Sequence, residues 1–232
     1  MKYQLYLYTM DNSDDELEGK LATGFDRGVS YHEMKTKFID NYNKLIQLIE
    51  ELDPDDKWYT SKKRKLFNKL IYLIITIIQL ANGSRISEAC NAFKQFLEKG
   101  TENKVSVKIA KSKSVKYKKN GEKFITKTRY RNMQFPIKWI PLNNIDDLKD
   151  YFSKMKNLTR CVLNYMLRNY QCNTHSLRYA FINYMLYDQK QQMSIVAKFV
   201  GHSNMNQLTR YTQNKEVDKL FDLDDLADSS PC

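Results

Sequence analysis

The chain has 232 residues and four cysteines, a length that supports one main domain with at most a small appendage. The cysteines show neither a CxxC pair nor ligand spacing with histidine, which disfavours a disulfide framework and a structural metal site. No signal-peptide pattern begins the sequence, and the longest apolar run, Leu70 to Ala81, is too short to span a bilayer. These features predict a cytoplasmic protein with reduced thiols and no membrane contact.

The net charge of +11 is concentrated in the middle of the sequence. Residues 1–60 carry 7 Lys and Arg against 13 Asp and Glu, residues 61–213 carry 29 against 8, and residues 214–232 carry 2 against 6. A segment this basic favours a polyanionic partner, most often nucleic acid, because neutralised phosphates release counterions. On charge alone, a solvated lysine surface without a polyanionic partner is an equally good explanation.

Two helices are predicted in the first third of the chain. Residues 1–30 hold an acidic cluster with little apolar periodicity, and we expect an adaptable arm there. Apolar residues recur at helical spacing from residue 31 to residue 52, where Asp53 and Pro54 end the pattern. A second helix, from near Ser61 to Asn82, is apolar on nearly every side, which predicts the central buried helix of the domain.

Arg85 follows this buried helix, directly after a C-cap pattern at Asn82 and Gly83. Glu88 lies three residues later on the same face of a new helical turn, so its carboxylate can hold the Arg85 guanidinium rigidly. Such a pair suits an anion-binding site. An ordinary surface ion pair is the alternative for this fragment taken alone.

Residues 104–138 predict an antiparallel hairpin with a basic surface. Val105, Val107 and Ile109 alternate with polar residues, Asn120 and Gly121 form a turn pattern, and apolar residues return from 124 to 137. The dense positive charge suits the backbone and groove of DNA, whereas lysines that protect a sheet edge would explain only part of it. The predicted DNA-binding residues are Lys111, Lys116, Lys118, Lys119, Arg129 and Arg131.

After the hairpin the sequence returns to helices, at 145–156 and 158–170. Thr174 is the expected N-cap of a helix that continues to Tyr187. The fold class predicted from the whole pattern is therefore mainly α with a small antiparallel β-sheet.

Histidine and arginine recur near the end of this helical region. His175 and Arg178 lie one turn apart at a helix N-terminus, which favours an anion. A shorter helix from Ser194 ends at Gly201, His202 follows it, and a last helix carries Tyr211.

The joint order and spacing of these residues resemble the tyrosine recombinase family, the phage-type integrases and chromosome-dimer resolvases. That family has an arginine with an acidic residue three positions on, a hairpin lysine, HxxR, and GH followed nine residues later by tyrosine. Lys113 in the sequence AKSKS best fits the hairpin lysine, and Lys111 is the second candidate. The resemblance covers residues 31–213 and implies the catalytic-domain fold of the family. The other corresponding residues are Arg85, Glu88, His175, Arg178, His202 and Tyr211.

The resemblance implies a reaction at a DNA phosphodiester. Arg85, Arg178 and His202 would neutralise charge on the phosphate oxygens, and Tyr211 would attack the phosphorus with assistance from His175. The hairpin lysine would protonate the leaving 5′ oxygen. The implied product is a covalent 3′-phosphotyrosine with a free 5′-hydroxyl, formed without a metal or another cofactor.

Double-stranded DNA is the implied partner, with a homo-tetramer on DNA and a monomer or weak oligomer without it. The acidic segment 214–232 would pack on a neighbouring protomer or fold back on its own. Family members usually carry a DNA-clamping domain before the catalytic domain, and only the arm of residues 1–30 precedes it here. The chain is then either a catalytic fragment or a minimal recombinase that binds DNA more weakly or through another partner. We therefore expect weak, strongly salt-dependent DNA binding.

Two other functions fit parts of the pattern. A type IB topoisomerase resembles this family in its arginines, lysine, histidine and tyrosine, but it relaxes supercoils without exchanging strands. The histidine of HxxR and the nine-residue interval before Tyr211 favour the recombinase. A non-catalytic DNA-binding protein, such as an excision partner, would have no physical reason to keep Tyr211 in register with His202.

Overall fold

A long buried helix organises the part of the chain that the computed structural model describes, which is residues 29–100, 103–109, 115–117, 120–125, 128–141 and 143–202. Helix α1 (Tyr31–Glu50) buries one apolar face, and helix α2 (Tyr59–Asn82) is buried on nearly every side from Leu70 onward. Both predicted helices are confirmed, and α2 is the central helix of the core.

By length and composition α2 could cross a membrane, although its apolar run alone was expected to be too short. However, 67% of its most apolar window is buried inside the domain. Helices α1 and α3 (Ile86–Lys99) both pack against it, and they cover its apolar surface with protein. This burial is typical of a core helix.

The predicted hairpin is confirmed as two nested antiparallel strand pairs. In the outer pair, Lys104 lies opposite Gln134 and Lys108 opposite Tyr130. In the inner pair, Val115 lies opposite Ile125, and the connecting turn contains Gly121 with φ of 82°. The strands are β1 (Lys104–Lys108), β2 (Val115–Tyr117), β3 (Lys123–Ile125) and β4 (Tyr130–Gln134).

The second helical region contains α4 (Ile145–Ser153), α5 (Leu158–Tyr170), α6 (Thr174–Asn183) and α7 (Met193–Val200). A single π-helical turn at Tyr184–Asp188 ends α6, where sequence reasoning expected the helix to continue unchanged. The predicted fold class, mainly α with a small antiparallel β-sheet, is confirmed.

The predicted N-cap of α6 is wrong by one residue. Asn173 is the cap, because its backbone is extended and its side-chain oxygen accepts from the N–H groups of His175 and Ser176. Thr174 is already the first helical residue, and its carbonyl accepts a hydrogen bond from the side chain of Gln79.

Several expectations concern residues outside the described ranges. They include residues 1–28 of the arm, the helix predicted to carry Tyr211, and the segment 214–232. The division of the chain into an arm at 1–30, a domain at 31–213 and a tail at 214–232 therefore stays a prediction.

Candidate active site

The turn after α2 joins the elements that carry the predicted site residues. Gly83 ends α2 in the left-handed conformation, with φ of 54°, and an added Cβ would overlap the ring of Phe181 from α6. The buried Gln79 side chain donates to Ser84 O at 3.1 Å and to Thr174 O at 2.6 Å. The turn thus fixes the start of α6 against the start of α3.

Arg85 is the N-cap residue of α3 and is held by Glu88. Its Nη1 donates to Glu88 Oε1 at 3.1 Å, and its backbone N–H donates to Oε2 of the same carboxylate at 3.3 Å. The Glu88 side chain is fully buried, whereas the Arg85 side chain is 23% exposed. The predicted pairing is confirmed, and it leaves the guanidinium accessible to an anion from solvent.

The buried Arg178 contacts the half-buried His202, although 24 positions separate them in the sequence. Arg178 Nη1 donates to Gly83 O at 2.7 Å, and Nη2 donates to Val200 O at 2.9 Å. The same Nη2 lies 3.0 Å from His202 Nε2. Because a guanidinium can only donate, Arg178 is the donor in this contact.

His175 lies on the first turn of α6, half-buried, one helical turn before Arg178. Its backbone N–H donates to Asn173 Oδ1 at 2.7 Å, and its ring packs edge-on against Tyr179 with centroids 5.5 Å apart. The N-cap fixes the backbone of His175, and the contact with Tyr179 orients its ring.

The structure corrects the prediction that Arg131 belongs to the exposed basic surface of the hairpin. Its side chain is 4% exposed, and its Nη1 lies 3.7 Å from Glu88 Oε2. Its Nη2 donates to the carbonyl of Asn82, and its guanidinium lies 5.5 Å from the ring centroid of Phe199. Burial beside the like charges of Arg178 and Arg85 lowers the Arg131 pKa to about 10, against the opposing effect of Glu88. This value is well above neutral pH, so Arg131 remains a cation.

The strand pattern contains the signal for this burial. The residues of β4 alternate between exposed and buried, and Arg131 shares the buried face with Met133. Charge density alone grouped it with Arg129, which is exposed as predicted. Sequence reasoning also missed Asn82, whose buried side chain bonds both the N–H and the C=O of Gln134 at 2.9 Å.

An open groove of about 440 Å³ lies beside His202. Arg129 of the hairpin and Lys198 of α7 line it together with the imidazole. Gly201 adjoins His202 with φ of 76°, and an added Cβ would lie 3.2 Å from Ile109, so the hairpin packs closely on the end of α7. Two cationic side chains and an imidazole give this groove the character of an anion-binding surface.

Most of the remaining predicted site residues lie outside the described ranges. Among the hairpin lysines predicted to bind DNA, Lys116 lies within the described ranges, in β2. In the described ranges, no group of three or more His, Cys, Asp or Glu is arranged to hold a metal ion. The predicted residues outside those ranges are Lys111, Lys113, Lys118, Lys119 and Tyr211.

Comparison with curated proteins identifies relatives from viruses, although no protein-family model matches the chain. The chain is 41% identical over 226 residues to "Putative integrase V10" of Sputnik virophage, covering 93% of this chain and 96% of that protein. It is 28% identical over 204 residues to "Putative integrase ORF241" of Acidianus two-tailed virus, covering 88% of this chain and 70% of that protein.

Solved structures of the XerH site-specific recombinase bound to its difH substrate are more distant. The pre-cleavage complex matches at 16% identity with a TM-score of 0.38, over 85% of this chain and 53% of that chain. The post-cleavage complex with palindromic difH matches at 17% identity with a TM-score of 0.39, over 95% of this chain and 58% of that chain. The chain therefore spans little more than half the length of XerH.

The virophage match extends over nearly the whole of both chains. In the structure, the segments that supply Arg85, Arg178 and His202 come together at one turn. The chain belongs to the tyrosine recombinase family.

Proposed function

We propose that the protein is a site-specific DNA recombinase that cleaves and rejoins DNA through a covalent 3′-phosphotyrosine on Tyr211. The contact between Arg178 and His202 is the observation that carries the proposal, because two motifs distant in sequence converge beside the turn that leads to Arg85. Integrase relatives over the length of the chain support the same reaction class.

The described residues divide the work of activating a phosphate. Arg85 is partly exposed and rigidly held, so it would bind a non-bridging phosphate oxygen. Arg178 was expected to bind phosphate oxygens directly, but its side chain is fully buried and donates to two backbone carbonyls and to His202. We therefore propose that it orients the imidazole and supplies positive charge close behind it. Together they stabilise the negative charge that grows on the phosphate in the transition state.

The covalent step assigns roles to the residues that complete the site. Tyr211 Oη would attack the phosphorus, and its proton would pass toward His175. The bond from phosphorus to the 5′ oxygen would break, and Lys113, or Lys111 in its place, would protonate that oxygen. Rejoining would run the same steps in reverse, so the phosphodiester bond energy is conserved and neither metal nor cofactor is consumed.

DNA binding would use the exposed basic residues of the hairpin, with Arg129 beside the groove at His202. We propose that residues 31–213 form the catalytic domain and that four copies assemble on two duplexes. The acidic tail at 214–232 would link neighbouring protomers. Because these contacts are mainly between basic side chains and phosphates, binding would weaken steeply with salt, and a nanomolar affinity unchanged from low to high salt would count against this scheme.

Trapping on nicked suicide substrates tests the reaction. DNA carrying candidate attachment sequences should form a covalent complex with the wild-type protein and none with Tyr211→Phe. Arg85→Lys should react far more slowly while binding DNA nearly as well, because lysine keeps the positive charge but cannot donate two parallel hydrogen bonds to the phosphate. A Tyr211→Phe variant that still becomes trapped would disprove the nucleophile assignment.

A second assay separates the proposed function from its alternatives. Recombinant products from paired attachment sites indicate a recombinase, whereas relaxation of supercoils without recombinants indicates a type IB topoisomerase. Sequence-specific binding without any covalent complex would identify a non-catalytic partner in excision.

A further inference from the structure

We propose that Arg131 is a positioning residue that fixes the Glu88 carboxylate and, through it, aims Arg85 at the phosphate. The proposal rests on the function proposed above, and it assigns a part in the reaction to a side chain that does not touch DNA.

The Glu88 carboxylate lies between the side chains of two arginines. Arg85 Nη1 bonds Oε1 at 3.1 Å. Oε2 accepts from the Arg85 backbone N–H at 3.3 Å and lies 3.7 Å from Arg131 Nη1. This last distance exceeds that of a hydrogen bond, so Arg131 acts there mainly through its charge. With Arg131 present, the carboxylate is held from both sides, and the position of Arg85 is set by the pair.

Arg131 also ties this carboxylate to the rest of the site. Its Nη2 donates to Asn82 O, and the next carbonyl along the chain, Gly83 O, accepts from Arg178. The Asn82 side chain bonds the backbone of Gln134 in the same strand as Arg131. One guanidinium therefore connects the basic hairpin, the turn after α2 and the partner of Arg85.

A role in packing alone does not account for a cation at this position. Arg131 shares the buried face of β4 with Met133, where an apolar side chain would pack without the cost of desolvating a charge. A direct contact with DNA does not account for it either, because the side chain is 4% exposed. What the charge supplies is a counterion for the fully buried Glu88 within the phosphate site.

The test compares Arg131→Met with Arg168→Met, which removes the same charge from an exposed position on α5. Single-turnover cleavage of a suicide substrate is measured at saturating DNA, and the Kd for DNA is measured separately. Arg131→Met should cleave roughly 10- to 100-fold more slowly, as a misplaced catalytic group does, with Kd changed by less than about twofold. Arg168→Met should leave both quantities unchanged.

Glu88→Gln supplies the test of mechanism. If Arg131 acts through Glu88, the double variant Glu88→Gln with Arg131→Met should cleave no more slowly than Glu88→Gln alone. Arg131→Lys guards against a loss of folding, because it keeps the charge but cannot hold both Glu88 and Asn82 O. It should fold and still cleave more slowly than wild type.

A readout that needs no DNA is the Nε–Hε signal of Arg85 in a ¹H–¹⁵N spectrum. It should shift in Arg131→Met and stay in place in Arg168→Met. The inference is wrong if Arg131→Met and Arg131→Lys both cleave as fast as the wild type. It is also wrong if a folded variant loses DNA binding and cleavage in parallel. If the wild-type protein forms no covalent complex at all, the proposed recombinase function is wrong. The positioning role is tested independently of that result, because an Arg85 signal that does not shift in Arg131→Met would overturn it.

Discussion

Replacing Gly83 with alanine should damage both the stability and the site of this protein. Gly83 has φ of 54° and ψ of 34°, a conformation that costs an L-residue about 1–2 kcal/mol. The added Cβ would also lie 2.9 Å from Cε1 of Phe181 and closer still to Cδ1. Phe181 is 4% exposed and cannot swing away freely, so overpacking adds roughly 1–3 kcal/mol. We expect a total loss of about 2–5 kcal/mol in the free energy of unfolding.

Gly201→Ala is the matched control for this substitution. Gly201 also caps a helix in the left-handed conformation, with φ of 76° and ψ of 30°. However, the described atoms nearest to its added Cβ belong to the flexible side chain of Ile109, the first of them at 3.2 Å. Urea unfolding followed by circular dichroism measures both variants. If Gly83→Ala destabilises the protein no more than Gly201→Ala does, the reasoning about the turn and Phe181 is wrong.

Three further predictions follow from caps and burial. Asn173→Ala should lower the free energy of unfolding by about 1 kcal/mol, more than Ser30→Ala, whose capping bond is 3.4 Å long; equal losses in thermal unfolding would contradict the cap assignment. Burial raises the pKa of Tyr42 to about 12 from an ordinary value of 10.0, so folding favours the protonated phenol and its stabilisation is lost as pH rises from 10 to 12. Ionisation of Tyr42 should therefore cost the wild-type protein roughly 2–3 kcal/mol of its free energy of unfolding over this pH range. Tyr42→Phe should lack that loss, and urea unfolding that shows the same pH dependence in the variant and the wild type would refute the role of Tyr42. Burial also raises the pKa of the Cys90 thiol to about 12, so iodoacetamide should label the half-buried Cys161 before the buried Cys90, and mass spectrometry of peptides that finds Cys90 labelled before Cys161 would contradict the packing around α3.

The sequence contained most of the fold because its apolar periodicity is strong. The helical spacing in α1 and the uniformly apolar α2 specify their burial without reference to the rest of the chain. The N-cap of α6 was harder to predict, since Asn173 and Thr174 are both good caps and only the backbone conformation decides between them. The π-helical turn at Tyr184–Asp188 has no pattern of its own in the sequence.

The site was predictable where a role requires a particular residue type at a particular spacing. Arg85 with Glu88, and His202 near Arg178, meet these requirements, and the structure shows each pair in contact. The role of Arg131 was missed because a count of positive charges ignores which face of a strand each charge occupies. The carbonyls that bind the guanidinium of Arg178 are backbone groups, so no side-chain pattern could indicate them.

Mapping the covalent attachment on a trapped DNA complex tests the central claim most directly. A suicide substrate labelled on each strand is incubated with the wild-type protein, the complex is digested with protease, and the peptide joined to DNA is identified by mass spectrometry. Our account predicts a 3′-phosphate linked to Tyr211 and a free 5′-hydroxyl on the other DNA end. Attachment to another residue, or linkage through a 5′-phosphate, would contradict it.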